Sequence, residues 1–313
     1  MTSPSSFHGA CRIADWGVIR ARGADAAKFL QGQLTNDVLS LGSTSARLAG
    51  FCSAKGRLQA SFVVWKADDD EFLMACSASL LAPTLKRLSM FVVRAQCKLS
   101  DASAEVALWG LAGVDVAGMT GDLGPWQRRD HEGAMLIRMP DAVGSRRGLL
   151  AVPVGVECDL PPAGSLPLPV WRWLEVQSGV VTIEAAIVDR FVPQMVNFEL
   201  VGGVDFQKGC YPGQEVVARS QYRGTTKRRT FLFEAEALAS AGQDVFAAAA
   251  AGEPAGTIVN AAPHPEGSGS SALVEVRLAA LGEGELRLGS VDGAMLRRVE
   301  MPYPLALDAE AAA

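Results

Sequence analysis

The sequence predicts an α+β chain that ends in a small β-barrel or sandwich. Three observations predict it. Apolar residues recur at helical spacing in stretches such as 25–34 and 78–93, β-branched and aromatic runs fall between them, and beyond Arg229 almost only strand signals remain. With 313 residues, 49% hydrophobic and 20% charged, the chain is long enough for two or three domains with cores of their own.

In order, residues 11–21 read as a strand that carries Trp16. Asp25 then starts a helix on which Ala26, Phe29, Leu30 and Leu34 recur at helical spacing. Leu58–Lys66 and Glu71–Cys76 read as paired strands joined by the acidic turn Ala67–Asp70. Its three adjacent carboxylates point in different directions, which suits a solvated turn and not a metal site. Residues 78–93 read as a helix with Leu80, Leu81, Leu85, Leu88 and Val92 facing inward, and 94–100 as a strand. Between 103 and 160, short strands at Val106–Leu111, Ala134–Met139 and Gly148–Val152 alternate with Gly- and Pro-rich turns and carry no recognisable chemistry.

Pro161, Pro162, Pro167 and Pro169 mark a stiff connection, after which Trp171 opens a helix that ends at Gly179. On it Trp171, Leu174, Glu175 and Ser178 share one face, while Val170, Trp173 and Gln177 share another. Two indoles on different faces cannot pack against the same neighbours, which leaves one free to line a pocket. Strands are expected at Thr230–Ala235, Ala255–Asn260, Leu273–Leu278 and Ala294–Val299, with a Gly/Ser-rich loop at Pro263–Ser271 and a turn or short helix at 247–251.

Composition excludes several classes. A net charge of −5 argues against a chain whose whole surface grips nucleic acid, so any such contact is local. The opening residues lack the charged start and apolar run of a secretory signal, and no stretch offers a membrane span, which leads to a cytoplasmic expectation with no membrane partner. Six cysteines without a Cys-x-x-Cys pair suggest reduced thiols, neither a zinc site nor a disulfide framework, and no resident metal. They do not supply a local iron–sulfur ligand set, so a cluster-related role is exercised in trans or through Cys210 with a partner. His8, His131 and His264 have no Cys or carboxylate at a useful spacing, which argues against a Ser–His–Asp or Cys–His nucleophile.

The chemistry concentrates in Asp205–Glu215, where Cys210 stands between Lys208 and Tyr211 on a backbone loosened by Gly209 and Gly213 and pinned by Pro212. Beyond Glu215 follow Arg219, Arg223, Lys227, Arg228 and Arg229 with no acid among them. Two readings stand side by side. Positive charge nearby favours thiolate, which makes Cys210 a reactive group with Lys208 and Tyr211 as its company; a free cysteine is also commonly a small buried hydrophobe.

Lys-Gly-Cys-Tyr-Pro-Gly-Gln-Glu at 208–215, with Val-Ala-Arg at 217–219 and Tyr-Arg-Gly at 222–224, resembles the K-G-C-[FY]-x-G-Q-E signature of the YgfZ family. These are folate-binding relatives of the glycine-cleavage aminomethyltransferase, implicated in maintaining iron–sulfur enzymes and through them in tRNA modification. Asp15-Trp16, the run Gly23–Val38, the turn Ala54-Lys55-Gly56-Arg57, and Phe191-Val192-Pro193-Gln194 with Asn197 resemble the family's other segments in the same order. The resemblance implies the three-domain ring of that group, its first two domains interleaved along the chain. It divides here into an N-terminal α+β region at 1–165, a continuation at 166–228 carrying the cysteine motif, and a C-terminal barrel at 229–313.

It further implies tetrahydrofolate or a derivative as cofactor, and iron–sulfur enzymes or cluster-assembly proteins as partners. Trp16, by itself a plausible core aromatic, then becomes a pterin-lining residue. Trp171, by its eight-residue spacing to Gly179, matches the second such tryptophan. An indole suits a pterin because flat rings stack on it. The family's Arg and Glu before the Gly are here Glu175 and Gln177, so Glu175, or Gln194 through its amide carbonyl, stands as the displaced acceptor for the pterin's N–H groups. Arg223 is a candidate for the folate tail. The resemblance thus places the Cys210 sulfur on a glycine-hinged bend facing a cavity that a flat heterocycle enters. Two other classes remain: a true tetrahydrofolate-dependent aminomethyltransferase, whose acid-aromatic pair is Cys210-Tyr211 here, and a nucleic-acid-binding module using 219–229, whose affinity would weaken steeply with salt.

Overall fold

The computed structural model describes residues 7–160, 166–223, 226–248, 252–282 and 284–305. The chain runs β1 (Gly9–Arg12), β2 (Trp16–Arg22), α1 (Ala26–Gln31), β3 (Ala46–Cys52), β4 (Leu58–Asp68), β5 (Glu71–Ser77), α2 (Ala78–Ser89), β6 (Lys98–Asp101), β7 (Val106–Ala112), α3 (Val114–Thr120), β8 (Arg128–His131), β9 (Ala134–Ala142) and β10 (Ser145–Pro153). Then follow α4 (Leu168–Gln177), α5 (Gln214–Tyr222), β11 (Arg228–Ala235), β12 (Asp244–Ala247), β13 (Gly256–Pro263), β14 (Ser270–Arg277), β15 (Leu286–Leu288) and β16 (Met295–Val299). One five-stranded sheet has the order β3-β4-β5-β2-β6, a second β1-β7-β10-β9-β8, and β11-β14-β13-β12-β15-β16 close into a barrel. The expected α+β class with a terminal barrel is the one observed.

The two open sheets interleave along the chain, because the expected strand 11–21 is two strands. β1 pairs antiparallel with β7, whereas β2 pairs with β5 and β6. The chain changes sheets at Ile13–Asp15, where Ile13 N–H still donates to Leu108 C=O at 2.9 Å. Apolar periodicity runs through this break unaltered, since both halves are buried.

β4 shows why its run is apolar on both faces. Val63 and Trp65 enter one core with Leu73 and Ala75, while Phe62 and Val64 enter another with Phe29, Leu30, Leu81 and Leu88 from α1 and α2. A sheet covered on both sides leaves no polar face to alternate with. The acidic turn at 68–70 is exposed, as its charge requires.

Several bounds differ from expectation. α2 ends at Ser89 and leaves Met90, Phe91 and Val93 exposed, and the strand after it starts at Lys98. α3, β8, β12 and β15 are further elements, the strands among them only three or four residues long and too short for a period to show. The prolines at 161–162, Gly224 and the alanines at 249–251 lie outside the described residues.

α4 opens at Leu168, not Trp171, because proline is tolerated in a helix's first turn. Both its indoles are buried, so neither is left free. Trp171 lies in the core shared with the two open sheets and Trp173 faces the barrel, where its Nε1–H donates to Ser271 Oγ at 2.8 Å. Gln177 Nε2 donates to the same oxygen at 2.9 Å. α4 therefore packs on both sides.

The Trp171 ring lies flat enough on β7 that only glycine fits at 110; a Cβ there would sit 2.7 Å from Trp171 Cε2. Gly110→Ala should lower unfolding stability by about 1–3 kcal/mol through overpacking. Urea titration should show a lower midpoint at unchanged slope, and an unchanged midpoint would contradict this packing.

Candidate functional site

A cavity of about 410 Å³ opens between the first sheet, α4 and the barrel. Asp15 and Trp16 reach it from the start of β2, Ser77 and Ser79 from the β5–α2 junction, Arg172 and Glu175 from α4, and Asn260 from β13. Trp16, Glu175, Val180 and Thr182 also border an inner compartment of about 20 Å³, closed by Trp126, Met139 and Arg147. That inner space admits little more than one water.

The charges around it are unevenly matched. Asp15 Oδ2 accepts from Arg172 Nη2 at 2.8 Å, while Asp15 Oδ1 is buried without a partner among the described residues. Glu184 Oε1 lies 3.4 Å from Asn260 Nδ2, and burial raises its carboxyl. The Glu175 side chain makes no hydrogen bond among the described residues. Burial pushes its carboxyl up to about 7, against the pull of the Arg147 charge and with the help of Asp15 and Glu184. Arg147 is 1% exposed, its guanidinium carbon 4.4 Å above the Trp171 ring. Its Nη1 donates to Leu174 C=O at 3.2 Å and its Nε has no partner among the described residues. Burial pulls it down to about 10, so it remains charged at neutral pH.

The cysteine motif forms a separate feature. Of six thiols Cys210 is the exposed one; Cys11, Cys52 and Cys76 are buried, and burial pushes each of those up to about 12. Lys208 does not reach toward the sulfur. Its Nζ donates to Gln31 C=O at 2.5 Å and Leu34 C=O at 2.6 Å, where a cation meets the carbonyl end of α1, and lies 4.9 Å over the Tyr211 ring. Burial lowers the Lys208 ammonium to about 8, and Tyr211, 7% exposed, is raised by burial too. Both residues anchor the loop.

Its other anchor is a pair of glycines. Gly213 and Gly56 have φ of +80° and +71°, and a Cβ on Gly213 would lie 2.6 Å from Gly56 Cα. The Ala54–Arg57 turn and the cysteine motif are therefore the two sides of one backbone contact. Only glycine meets both demands, the left-handed backbone and the close approach.

Two of the expected pocket residues come together, Trp16 and Glu175. Three do not. Trp171 lies beneath Arg147, fully buried. Gln194 lies under α5, its Nε2 donating to Val217 C=O at 2.9 Å, with its amide oxygen buried and unpartnered. Arg223 is exposed at the end of α5. Nor does Cys210 border the Trp16–Glu175 cavity, contrary to the expected bend facing it: the Lys208 bonds and the Gly213–Gly56 contact hold the loop against α1 and the 53–57 turn instead. Arg228 and Arg229 pair with Glu275 and Glu199, leaving Arg219, Arg223 and Lys227 as the exposed cations of the basic run. Arg147 and Trp126 went unforeseen in a region that reads as bare strands and turns, and no spacing in the sequence links them to Glu175.

Because the Glu175 carboxyl sits near 7 in the fold against an ordinary 4.5, the native state keeps a proton that the unfolded chain has lost. Its contribution to stability is present below about pH 4.5 and lost as pH rises through about 7. The stability of the wild type minus that of Glu175→Gln should therefore fall between about pH 5 and about pH 7.5 in urea titrations. A pH-independent difference would contradict the burial of this carboxyl.

Residues 9–121 match the GCVT N-terminal domain family. Over its whole length the chain resembles the aminomethyltransferase T of the glycine cleavage system from Bartonella henselae, with a TM-score of 0.72, 16% identity, and coverage of 96% of this chain and 86% of that one. The likeness shows the fold. The tRNA-modifying protein YgfZ of Escherichia coli K12 is 28% identical over 251 residues, 74% of each chain. The tRNA-modifying protein YgfZ of Edwardsiella ictaluri is 34% identical over 256 residues, 75% of this chain and 74% of its own. With that identity across three quarters of both sequences, and with the aminomethyltransferase-type fold beneath it, the chain belongs to the YgfZ family.

Proposed function

We propose that the chain is a folate-binding accessory protein that supports iron–sulfur cluster assembly or repair in the cytoplasm, and through iron–sulfur enzymes the modification of tRNA. The observation that carries the folate part is Glu175, whose carboxyl has no hydrogen-bond partner among the described residues, standing beside Trp16 in a cavity of about 410 Å³. A pterin offers what both lack: a flat face for the indole and adjacent N–H groups for the carboxylate. The residues present fit the group, with Trp16 and Glu175 to hold it and the exposed Arg172 beside them for polar atoms beyond the ring.

Cys210 is the working thiol of this reading, exposed on an anchored loop and open to a protein partner. Lys208 and Tyr211 serve it by holding that loop, and the exposed Arg219, Arg223 and Lys227 offer cations on the adjoining segment. Tetrahydrofolate, when bound, supplies one-carbon carrying capacity; the chain's own residues bind and orient it. The aminomethyltransferase alternative lacks that enzyme's acid, in whose place Cys210-Tyr211 stand. The nucleic-acid alternative loses two of its five cations to ion pairs.

Two measurements test the reading. Tetrahydrofolate should quench the tryptophan fluorescence of the wild type, and Trp16→Phe should remove most of the change. Quenching that survives in Trp16→Phe, or none in the wild type, would contradict the pocket. In a strain lacking its own YgfZ protein, the wild-type chain should restore iron–sulfur-dependent methylthiolation of tRNA, and Cys210→Ala should fail while remaining folded. Full rescue by Cys210→Ala would end the thiol's part in the account.

A further inference from the structure

The chain as a whole is acidic, yet one stretch of its surface is not. Between Glu71 and Asp101 the sequence has no carboxylate and four cations, Lys86, Arg87, Arg94 and Lys98, all exposed and none in an ion pair among the described residues. Asp25 reaches the far end of this stretch, where its Oδ2 accepts from Gln96 N–H at 2.7 Å. In the middle of the same stretch Met90, Phe91 and Val93 are 71%, 44% and 80% exposed. Leu88 and Val92 turn into the core shared with α1, and these three are left outside it. The backbone that carries them is held: Phe91 N–H donates to Leu88 C=O at 3.0 Å and Val92 N–H to Ser89 C=O at 3.2 Å. Single apolar residues on a surface need no explanation, but a contiguous set on a fixed backbone marks a contact surface.

Beside this set lies a groove of about 300 Å³, walled by Phe51, Leu80, Met90 and Val188 and bordered by Lys86 and Arg87. Gln59 also lines it, and its amide oxygen is buried without a partner among the described residues. An acceptor taken from water and left unmade is costly, so the groove lacks an N–H donor as well as an apolar filling. We propose that this face docks an acidic segment of a partner protein. A large apolar side chain of the segment enters the groove, an N–H of the segment donates to Gln59 Oε1, and carboxylates on either side meet Lys86, Arg87 and Arg94. The sign of the charge chooses the partner and the groove fixes its register. Anionic lipid or RNA would meet the cations equally well, but a peptide carries the apolar anchor, the N–H and the carboxylates on one backbone. The groove shares no lining residue with the Trp16–Glu175 cavity, so the docking face stands independently of the folate reading.

The test is a selection of random peptides displayed on phage against the full chain, followed by binding measurements with synthetic copies of the enriched sequences. Two variants of exposed residues accompany the wild type, Arg87→Glu with Arg94→Glu, and Phe91→Ser, each checked for an unchanged urea midpoint. The enriched peptides should carry Asp and Glu around a large apolar residue, bind the wild type about tenfold or more tightly than either variant, and weaken as salt is raised. Enrichment of neutral or basic sequences, no common pattern, or equal affinity for the wild type and both folded variants would overturn the proposal. If one variant does not fold the other decides, and if neither folds the pattern enriched on the wild type decides. Vesicles of phosphatidylglycerol and bulk tRNA are titrated in parallel. Binding of either to the wild type and not to the variants, with no acidic peptide enriched, would assign the face to lipid or nucleic acid and overturn the protein partner.

Discussion

The arrangement depends on a guanidinium held in the interior by an aromatic face instead of a carboxylate. Arg147 comes from β10, the Trp171 ring beneath it from α4, and the ring in turn lies on Gly110 of β7. That stack sets the height of α4 over the second sheet, and with it the position of Glu175 one helical turn further on. The same helix meets the barrel through Trp173, Gln177 and Ser271, so the seat of Glu175 is defined from both sides. A core that closed Arg147 onto Glu175 would gain an ion pair and lose an open acceptor.

The cysteine loop is governed by a different constraint. Two glycine turns from distant parts of the chain touch backbone to backbone, and a lysine ties the same loop to the end of α1. The sequence segments that read as separate motifs, Ala54–Arg57 and Lys208–Glu215, are one contact in space. Phe191–Asn197 joins them through Phe191 C=O, which accepts from Leu58 N–H at 2.8 Å beside the first turn, and through Gln194 under α5. Three motifs thus build the platform for a single exposed sulfur. The cavity with Trp16 and Glu175 is a second centre, and binding there and at the thiol can be perturbed separately.

What the sequence made legible follows from how local each signal is. The hairpin of β4 and β5 was readable because its runs of β-branched and aromatic residues and its acidic turn are contiguous, and α1 because Phe29 and Leu30 are buried with Ala26 on one face. The change of sheet at Ile13–Asp15 was not, because burial continues on both sides of it. Trp16 and Cys210 stood out through their neighbours in the chain. Trp171 belongs to the pocket through the family resemblance and its spacing to Gly179, yet neither says which side of a helix a second sheet will cover. Arg147 borders the same inner compartment as Glu175 from 28 positions away, and its significance is that it has no carboxylate within 4.0 Å among the described residues, a property no one-dimensional pattern carries.

A crystal structure of the chain grown with tetrahydrofolate tests the central claim most directly. The account predicts the pterin lying on Trp16, its amino edge within hydrogen-bond distance of Glu175. A pterin seated elsewhere, or one in this cavity with that edge turned away from Glu175, would contradict it.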